Sequence, residues 1–176
     1  MILGRRAGGK APGSIARRLY DTAVAQGRQP TLYATMGAPD TVEGRFEILT
    51  LHVILLLDRL KSDNRQGDGL GQALFDVYLS DLDGAMREMG VGDLAVGKRM
   101  GKLGEAFYGR AKAYGEAFAA LPDLESLEAV VMRTVLDDVA GGDPHPLATY
   151  IARARQTLAA NEADTLLGGS AAWPTP

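Results

Sequence analysis

The chain has 176 residues, which fits one domain large enough to bury about 70% of the surface that its unfolded form exposes. It contains no cysteine, which excludes disulfide bonds, thiolate metal sites and a cysteine nucleophile. The net charge of −3 indicates that the chain as a whole does not bind polyanions such as DNA.

Residues 1–13 are rich in glycine, and we expect them to form a mobile basic arm. The cations that precede the first acidic residue, Asp21, are Arg5, Arg6, Lys10, Arg17 and Arg18. This pattern has two interpretations. The arm is either a solvated N-terminus or a weak contact to a ribosome, to RNA or to an anionic membrane.

The residues after this arm predict helices almost without interruption. A first helix covers about 14–26, and a connector over 30–39 leads to a central helix over about 42–60. Asp40 or Thr41 is expected to cap the N-terminus of this central helix.

The central helix is apolar around most of its circumference, which is typical of a helix that other helices surround. Arg45, His52 and Arg59 form one basic row along it, and such a row needs carboxylates, water or a ligand as partners. The longest apolar run, residues 48–57, is too short to span a bilayer.

The rest of the chain predicts four more helices, over about 70–89, 94–121, 124–139 and 146–160. Gly90 is expected to end the first of these, and Asp93 to cap the next. No segment alternates with a period of two residues, so the predicted fold is all-α. We expect one bundle of about five to seven helices over residues 14–160, followed by a loose tail over 161–176.

Asp81 and Glu88 lie seven residues apart at the edge of the apolar face of the 70–89 helix. They match the spacing of Arg45, His52 and Arg59, so we expect ion pairs between the two helices. Such pairs either only fix the register of the helices or form a polar strip that binds a partner.

The 94–121 helix carries a glycine row, which we define as Gly97, Gly101, Gly104 and Gly115. Tyr108 lies on the same strip. Glycine inside a helix costs about 1 kcal/mol relative to alanine, so four on one strip need an explanation. The row either packs tightly against another helix of the same fold, forms a shallow groove for an incoming helix, or joins two copies of the chain.

Signals of catalysis or metal binding are weak. Residues 92–98 match G-x-x-x-x-G-K, but Arg99 stands where a Ser or Thr must reach magnesium. Asp76, Asp81 and Asp83 point in different directions on a helical wheel, so no metal site is predicted. No G-x-S-x-G motif is present, and the two histidines do not have the spacing of a ligand pair.

An ordered string of short motifs over about residues 18–140 resembles one protein family. In chain order these are Tyr20, Val24-Ala25-Gln26, Tyr33, Pro39-Asp40-Thr41, Gly44-Arg45-Phe46-Glu47, Leu51-His52, Arg59-Leu60, Gln72-Ala73-Leu74-Phe75-Asp76, Asp81-Leu82-Asp83, Arg87-Glu88-Met89-Gly90-Val91-Gly92-Asp93, Val96-Gly97-Lys98, Ala106-Phe107-Tyr108-Gly109-Arg110 and Ala113-Tyr114. In these residues the chain is similar to the ubiquinol–cytochrome c chaperone family. The resemblance implies an all-helical fold without enzymatic activity or a cofactor. It also implies binding to newly made cytochrome b, a membrane protein of many apolar helices, and leaves open a small co-chaperone.

These observations together predict where a client protein binds. The expected site consists of Arg45, His52, Arg59, Asp81, Glu88, Gly97, Gly101, Gly104 and Tyr108. We expect no long targeting extension, which favours a bacterial protein in the cytoplasm, peripheral to the inner membrane. The alternative location is the matrix side of the mitochondrial inner membrane. The alternative function is a helical lipid- or cofactor-binding protein, or an enzyme, with an internal apolar cavity near His52 and Tyr108.

Overall fold

The computed structural model describes residues 12–62 and 67–176 of the chain. These residues form eight α-helices and no β-strand, which confirms the predicted all-α fold. In chain order the helices are α1 (Pro12–Gly27), α2 (Pro30–Ala34), α3 (Val42–Lys61), α4 (Gly67–Glu88), α5 (Asp93–Ala120), α6 (Glu125–Met132), α7 (His145–Ala159) and α8 (Ala163–Leu167). The two short helices α2 and α8 raise the number above the five to seven expected. Most of the predicted basic arm, residues 1–11, lies outside the described residues.

The central position of α3 follows from its sequence. Residues 50–56 of this helix are all buried, which requires neighbours on every side. α3 contacts α1, α4, α5 and α7. None of the described helices is long and apolar enough to cross a bilayer.

The start of α3 is fixed by a side-chain cap and by a close backbone contact. Thr41 is the N-cap, and its Oγ1 accepts a hydrogen bond from the Gly44 N–H at 3.1 Å. A Cβ on Gly44 would lie 2.9 Å from the carbonyl carbon of Pro39 and closer still to its oxygen, so only glycine fits there. Asp40, the other expected cap, instead accepts a hydrogen bond from Arg45 Nε at 2.5 Å.

The turn between α4 and α5 contains one correction to the predicted caps. Gly90 has a φ of 81°, the left-handed conformation expected where a helix ends. The N-cap of α5 is Gly92, so the prediction that Asp93 is the cap is wrong by one residue. Asp93 begins the helix and pairs with Arg87, and its charge still lies at the positive end of the α5 dipole.

The residues after α7 differ from the loose tail that the sequence suggests. Residues 170–176, which we call the C-terminal strap, pack back on the bundle without helical structure. The Ala172 N–H donates to Asn161 Oδ1 at 2.8 Å, and Trp173 Nε1 donates to Thr22 Oγ1 at 3.2 Å. Local patterns do not reveal this packing because Thr22 lies far away in the sequence.

Candidate functional site

An apolar groove opens between α3, α4 and α5, and we call it the α5 groove. Its volume is about 260 Å³. Its apolar lining consists of Ile54, Leu57, Leu60, Phe75, Phe107, Tyr108, Ala111, Gly115 and Phe118. Asp58, Lys61, Gly71 and Gln72 complete the lining. The groove can therefore bury apolar side chains of a ligand or partner.

Aromatic rings from α4 and α5 pack beside this groove. The ring centroids of Phe75 and Phe107 lie 4.8 Å apart, and those of Phe75 and Tyr108 lie 5.7 Å apart. Phe107 is buried, whereas Tyr108 remains 64% exposed. Tyr108 therefore presents an accessible ring at the groove.

The glycine row on α5 faces open space. A Cβ built on Gly97, Gly101, Gly104 or Gly115 meets no heavy atom of another element within 4 Å in the part of the chain that the structure describes. The interpretation that the row packs against another helix of the same fold is therefore wrong. Gly115 also lines the α5 groove, so the row continues into it. The interpretations that an incoming helix or a second copy packs on the row stay predictions.

A second cavity, which we call the α1–α4 cleft, has a volume of about 480 Å³. Residues of α1 to α5 line it, among them Arg45, Asp81 and Leu103. Its lining includes two large hydrophobic residues that are exposed to solvent, Val42 at 67% and Met89 at 62%. This cleft combines charged and apolar surface, and it brings together two residues of the predicted site.

Among the described contacts, Asp81 and Glu88 of α4 form none of the predicted ion pairs with the basic row of α3. Asp81 accepts hydrogen bonds from Arg17 Nη1 at 3.2 Å and from the Tyr20 hydroxyl at 2.8 Å, both on α1. Burial, and then the hydrogen bond to Asp81, raises the pKa of Tyr20. Glu88 is exposed at the last residue of α4, and Arg45 pairs with Asp40, as described above. The Asp81 side chain therefore points towards α1 and away from the basic row of α3.

The basic row of α3 is divided among different neighbours because an α-helix drifts by about 20° per seven residues. Arg45 lines the α1–α4 cleft, whereas Arg59 reaches α7. Arg59 donates to the carbonyl oxygens of Leu158 at 3.0 Å and Asn161 at 2.8 Å, which satisfies acceptors at the C-terminal end of α7. Its role is therefore to join two helices.

His52 is fully buried and belongs to a network of hydrogen bonds. Its Nδ1 lies 2.7 Å from the Ile48 carbonyl oxygen, which can only accept, so Nδ1 carries the proton. Its Nε2 then accepts from the Tyr150 hydroxyl at 2.7 Å, and the Tyr150 oxygen accepts from Gln26 Nε2 at 2.9 Å. Burial lowers the pKa of His52 to about 4, against the opposing effect of the Ile48 hydrogen bond. Trp173 packs edge-on to the ring, and His52 is not among the described residues that line the α5 groove beside Tyr108.

Sequence patterns did not predict the ion pair between Glu47 on α3 and Arg110 on α5. Arg110 donates from Nε to Glu47 Oε2 at 2.7 Å, and a second bond joins its Nη2 to Oε1. The side chains of Glu47 and Arg110 are only 12% and 24% exposed. The hydrogen bond to Glu47 raises the pKa of Arg110. The two residues lie on different helices, so no local spacing relates them.

The aspartates of α4 have separate partners. Asp76 accepts from Gln72 at 2.7 Å, and Asp83 accepts from Arg87 at 2.6 Å. Within residues 12–62 and 67–176, no group of three or more His, Asp or Glu side chains is arranged to hold a metal ion. The described geometry thus offers apolar and mixed surfaces for binding.

A comparison with known families connects this geometry to function. The family model described as ubiquinol–cytochrome c chaperone matches residues 34–173, which include the whole of the α5 groove and the glycine row. The chain belongs to the ubiquinol–cytochrome c chaperone family. The resemblance noted in the sequence is thereby confirmed.

Relatives of this chain are found in animals and bacteria. Mouse (Mus musculus) ubiquinol–cytochrome c reductase complex assembly factor 1 is 28% identical over 162 residues, covering 90% of this chain and 54% of the mouse protein. The Xenopus laevis protein of the same name is 24% identical and is covered over 80% of its length. The chain thus spans about half the length of the mouse relative. The crystal structure of the Cbp3 homologue from Brucella abortus matches with a TM-score of 0.81 and 37% identity, covering 92% of this chain and 90% of that one.

Proposed function

We propose that this protein is a non-enzymatic chaperone that binds newly made cytochrome b during assembly of ubiquinol–cytochrome c reductase. The family match over residues 34–173 supports this proposal most strongly. The mouse and frog relatives are named as assembly factors of that complex. The proposed place of action is the bacterial cytoplasm, at the surface of the inner membrane.

The α5 groove and the glycine row together form the proposed client-binding surface. Without side chains, the row lets the backbone of an incoming helix approach α5 closely. Apolar side chains of that helix would then enter the α5 groove beside Tyr108. Burial of apolar surface supplies the binding energy, so no nucleotide is needed.

The remaining predicted site residues divide into two groups. Arg45 and Asp81 line the α1–α4 cleft, where they remain candidates for a second contact with the client or with a small co-chaperone. His52 is fully buried and Arg59 is bonded to the end of α7, so we assign both to the framework. Glu88 is exposed near this cleft's Met89 and stays a candidate.

The test uses the full-length chain and detergent-solubilised cytochrome b segments. Filling the row with Gly101→Leu or Gly104→Leu should weaken capture of at least one apolar segment by about tenfold, because the added side chain keeps the client helix away. Gly84→Leu on α4 is the matched control, since a Cβ there also meets no atom of the described residues within 4 Å. No capture of any segment by the wild-type chain at micromolar concentration would reject the proposal. Equal capture by the α5 variants and the wild type would reject this surface.

A further inference from the structure

The C-terminal strap lies in a cleft formed by α1, α3 and α7. Asn161, just after α7, acts as both acceptor and donor towards the main chain of Ala172 in the strap. Its Oδ1 accepts from the Ala172 N–H at 2.8 Å, and its Nδ2 lies 3.4 Å from the Ala172 carbonyl oxygen. Asn161 is only 9% exposed, so its amide is a buried group that uses the strap as a hydrogen-bonding partner.

Two further side chains bind the backbone of the strap. Gln26 of α1 donates to the Pro174 carbonyl oxygen at 2.8 Å and is only 8% exposed. Arg153 of α7 donates to the Thr175 carbonyl oxygen at 2.6 Å. These contacts engage main-chain atoms, so they do not depend on the side chains at positions 174 and 175.

Trp173 is the side chain of the strap that enters the bundle. Its ring packs against His52 at a centroid distance of 5.2 Å, and its Nε1 donates to Thr22 Oγ1 at 3.2 Å. The prolines at 174 and 176 restrict the backbone, which lowers the entropy lost when such a segment is ordered.

We propose that this cleft is a peptide-binding site, for an uncharged segment of another protein in which a tryptophan precedes a proline. The strap occupies the site in cis. Two amides, which are about nine-tenths buried with the strap in place, bind the main chain of a segment outside every helix, and hydrogen bonds to the main chain are one way in which proteins recognise extended peptides. The strap is tethered close to the cleft, so its high effective concentration makes any partner segment compete with it. No residue named here lines the α5 groove, so the inference goes beyond the proposed function and can fail independently of it.

The test uses a blocked, fluorescein-labelled peptide with the sequence of residues 170–176 and the full-length Trp173→Ala chain. This variant weakens the strap and removes the only tryptophan of the protein. The peptide should bind saturably, as measured by fluorescence anisotropy. It should bind the wild-type chain about tenfold more weakly, because the intact strap competes for the cleft. Absence of saturable binding to the folded variant, or equal affinity for both chains, would overturn the proposal.

A changed peptide and a pair of protein substitutions test whether the peptide binds in the cleft. A peptide with alanine in place of tryptophan should bind about tenfold more weakly, and it cannot disturb the fold of the protein. In the Trp173→Ala chain, an added Thr22→Val removes the acceptor for the indole of the peptide and should weaken its binding. An added Thr149→Val on the exposed face of α7 should leave that binding unchanged. Equal affinity for both peptides, or equal effects of the two valine substitutions, would overturn the proposal.

A second measurement needs no variant of the protein. An excess of unlabelled peptide with phenylalanine in place of tryptophan should displace the strap from the wild-type chain. Trp173 would then enter water, and its emission would move to longer wavelength. Because Trp173 is the only tryptophan, the signal reports the strap alone. Unchanged emission at saturating peptide would overturn the proposal.

Discussion

Acidification should destabilise the fold through His52. Burial lowers the pKa of this histidine from 6.5 to about 4 in the folded chain. The unfolded chain regains the ordinary value, so it binds more protons than the folded chain between these two pH values. The contribution of neutral His52 to the free energy of unfolding is therefore fully present above pH 6.5, and it is lost as the pH falls from 6.5 to about 4.

The size of the effect follows from the two pKa values. The groups around the ring are the Ile48 carbonyl, Tyr150, Gln26 and Trp173, and none of them carries a negative charge at these pH values. Burial raises the pKa of Tyr150 to about 12, so it stays neutral. Between pH 7 and pH 5 the contribution of His52 should decrease by about 2 kcal/mol, which is a large part of the stability of a typical domain.

Urea unfolding followed by far-UV circular dichroism measures this decrease. Surface carboxylates also titrate, so wild type and His52→Gln are compared at both pH values. Glutamine does not ionise, and the difference between the two chains isolates the histidine. The wild type should lose about 2 kcal/mol more than the variant between pH 7 and pH 5. Parallel losses in both chains would refute a neutral, buried His52.

The same unfolding assay tests contacts elsewhere in the bundle. Gly44→Ala should cost about 3 kcal/mol or more, because its Cβ collides with the backbone before α3, whereas Gly101→Ala should stabilise the chain by about 1 kcal/mol. If both substitutions changed the free energy of unfolding in the same direction, the glycine row would not face open space. Glu47→Ala should cost about 2–3 kcal/mol, since it leaves a half-buried arginine without its acid, and Glu116→Ala in an exposed pair should cost under about 0.5 kcal/mol. Equal costs would show that the first pair is solvated. Arg59→Ala should cost about 1–2 kcal/mol, because the Asn161 carbonyl oxygen loses a charged donor, whereas the Leu158 carbonyl keeps its hydrogen bond from the Asn161 N–H. An unchanged midpoint would exclude that role.

Local sequence patterns predicted the elements of this fold more closely than their partners. The cap at Thr41 and the stop at Gly90 depend on residues within one turn of a helix, so composition and spacing reveal them. The apolar pattern predicted a helix over 124–139, but α6 ends at Met132 and turns follow it over residues 133–138.

The candidate site was predicted only in part, because a helical wheel gives directions and not neighbours. It placed the glycine row and Tyr108 on one strip of α5, as the structure has them. It could not tell that the row faces open space, or that Asp81 faces Arg17 on α1. The strap was missed for the same reason, since Gln26 and Asn161 bind it from distant parts of the chain.

The buried hydroxyl contacts restrict how this sequence can change over evolutionary time. The Tyr78 hydroxyl donates to Thr50 Oγ1 at 2.8 Å, because the Thr50 proton goes to the Phe46 carbonyl oxygen, and His52 Nε2 accepts from the Tyr150 hydroxyl at 2.7 Å. Losing Thr50 leaves the buried Tyr78 hydroxyl without its acceptor, and losing Tyr150 leaves His52 Nε2 without its donor. Each loss costs far more than exchanging both members for hydrocarbon of similar shape. Homologous sequences should therefore keep or replace both residues of each pair together, and an alignment of many homologues would show this as covariation of the two positions.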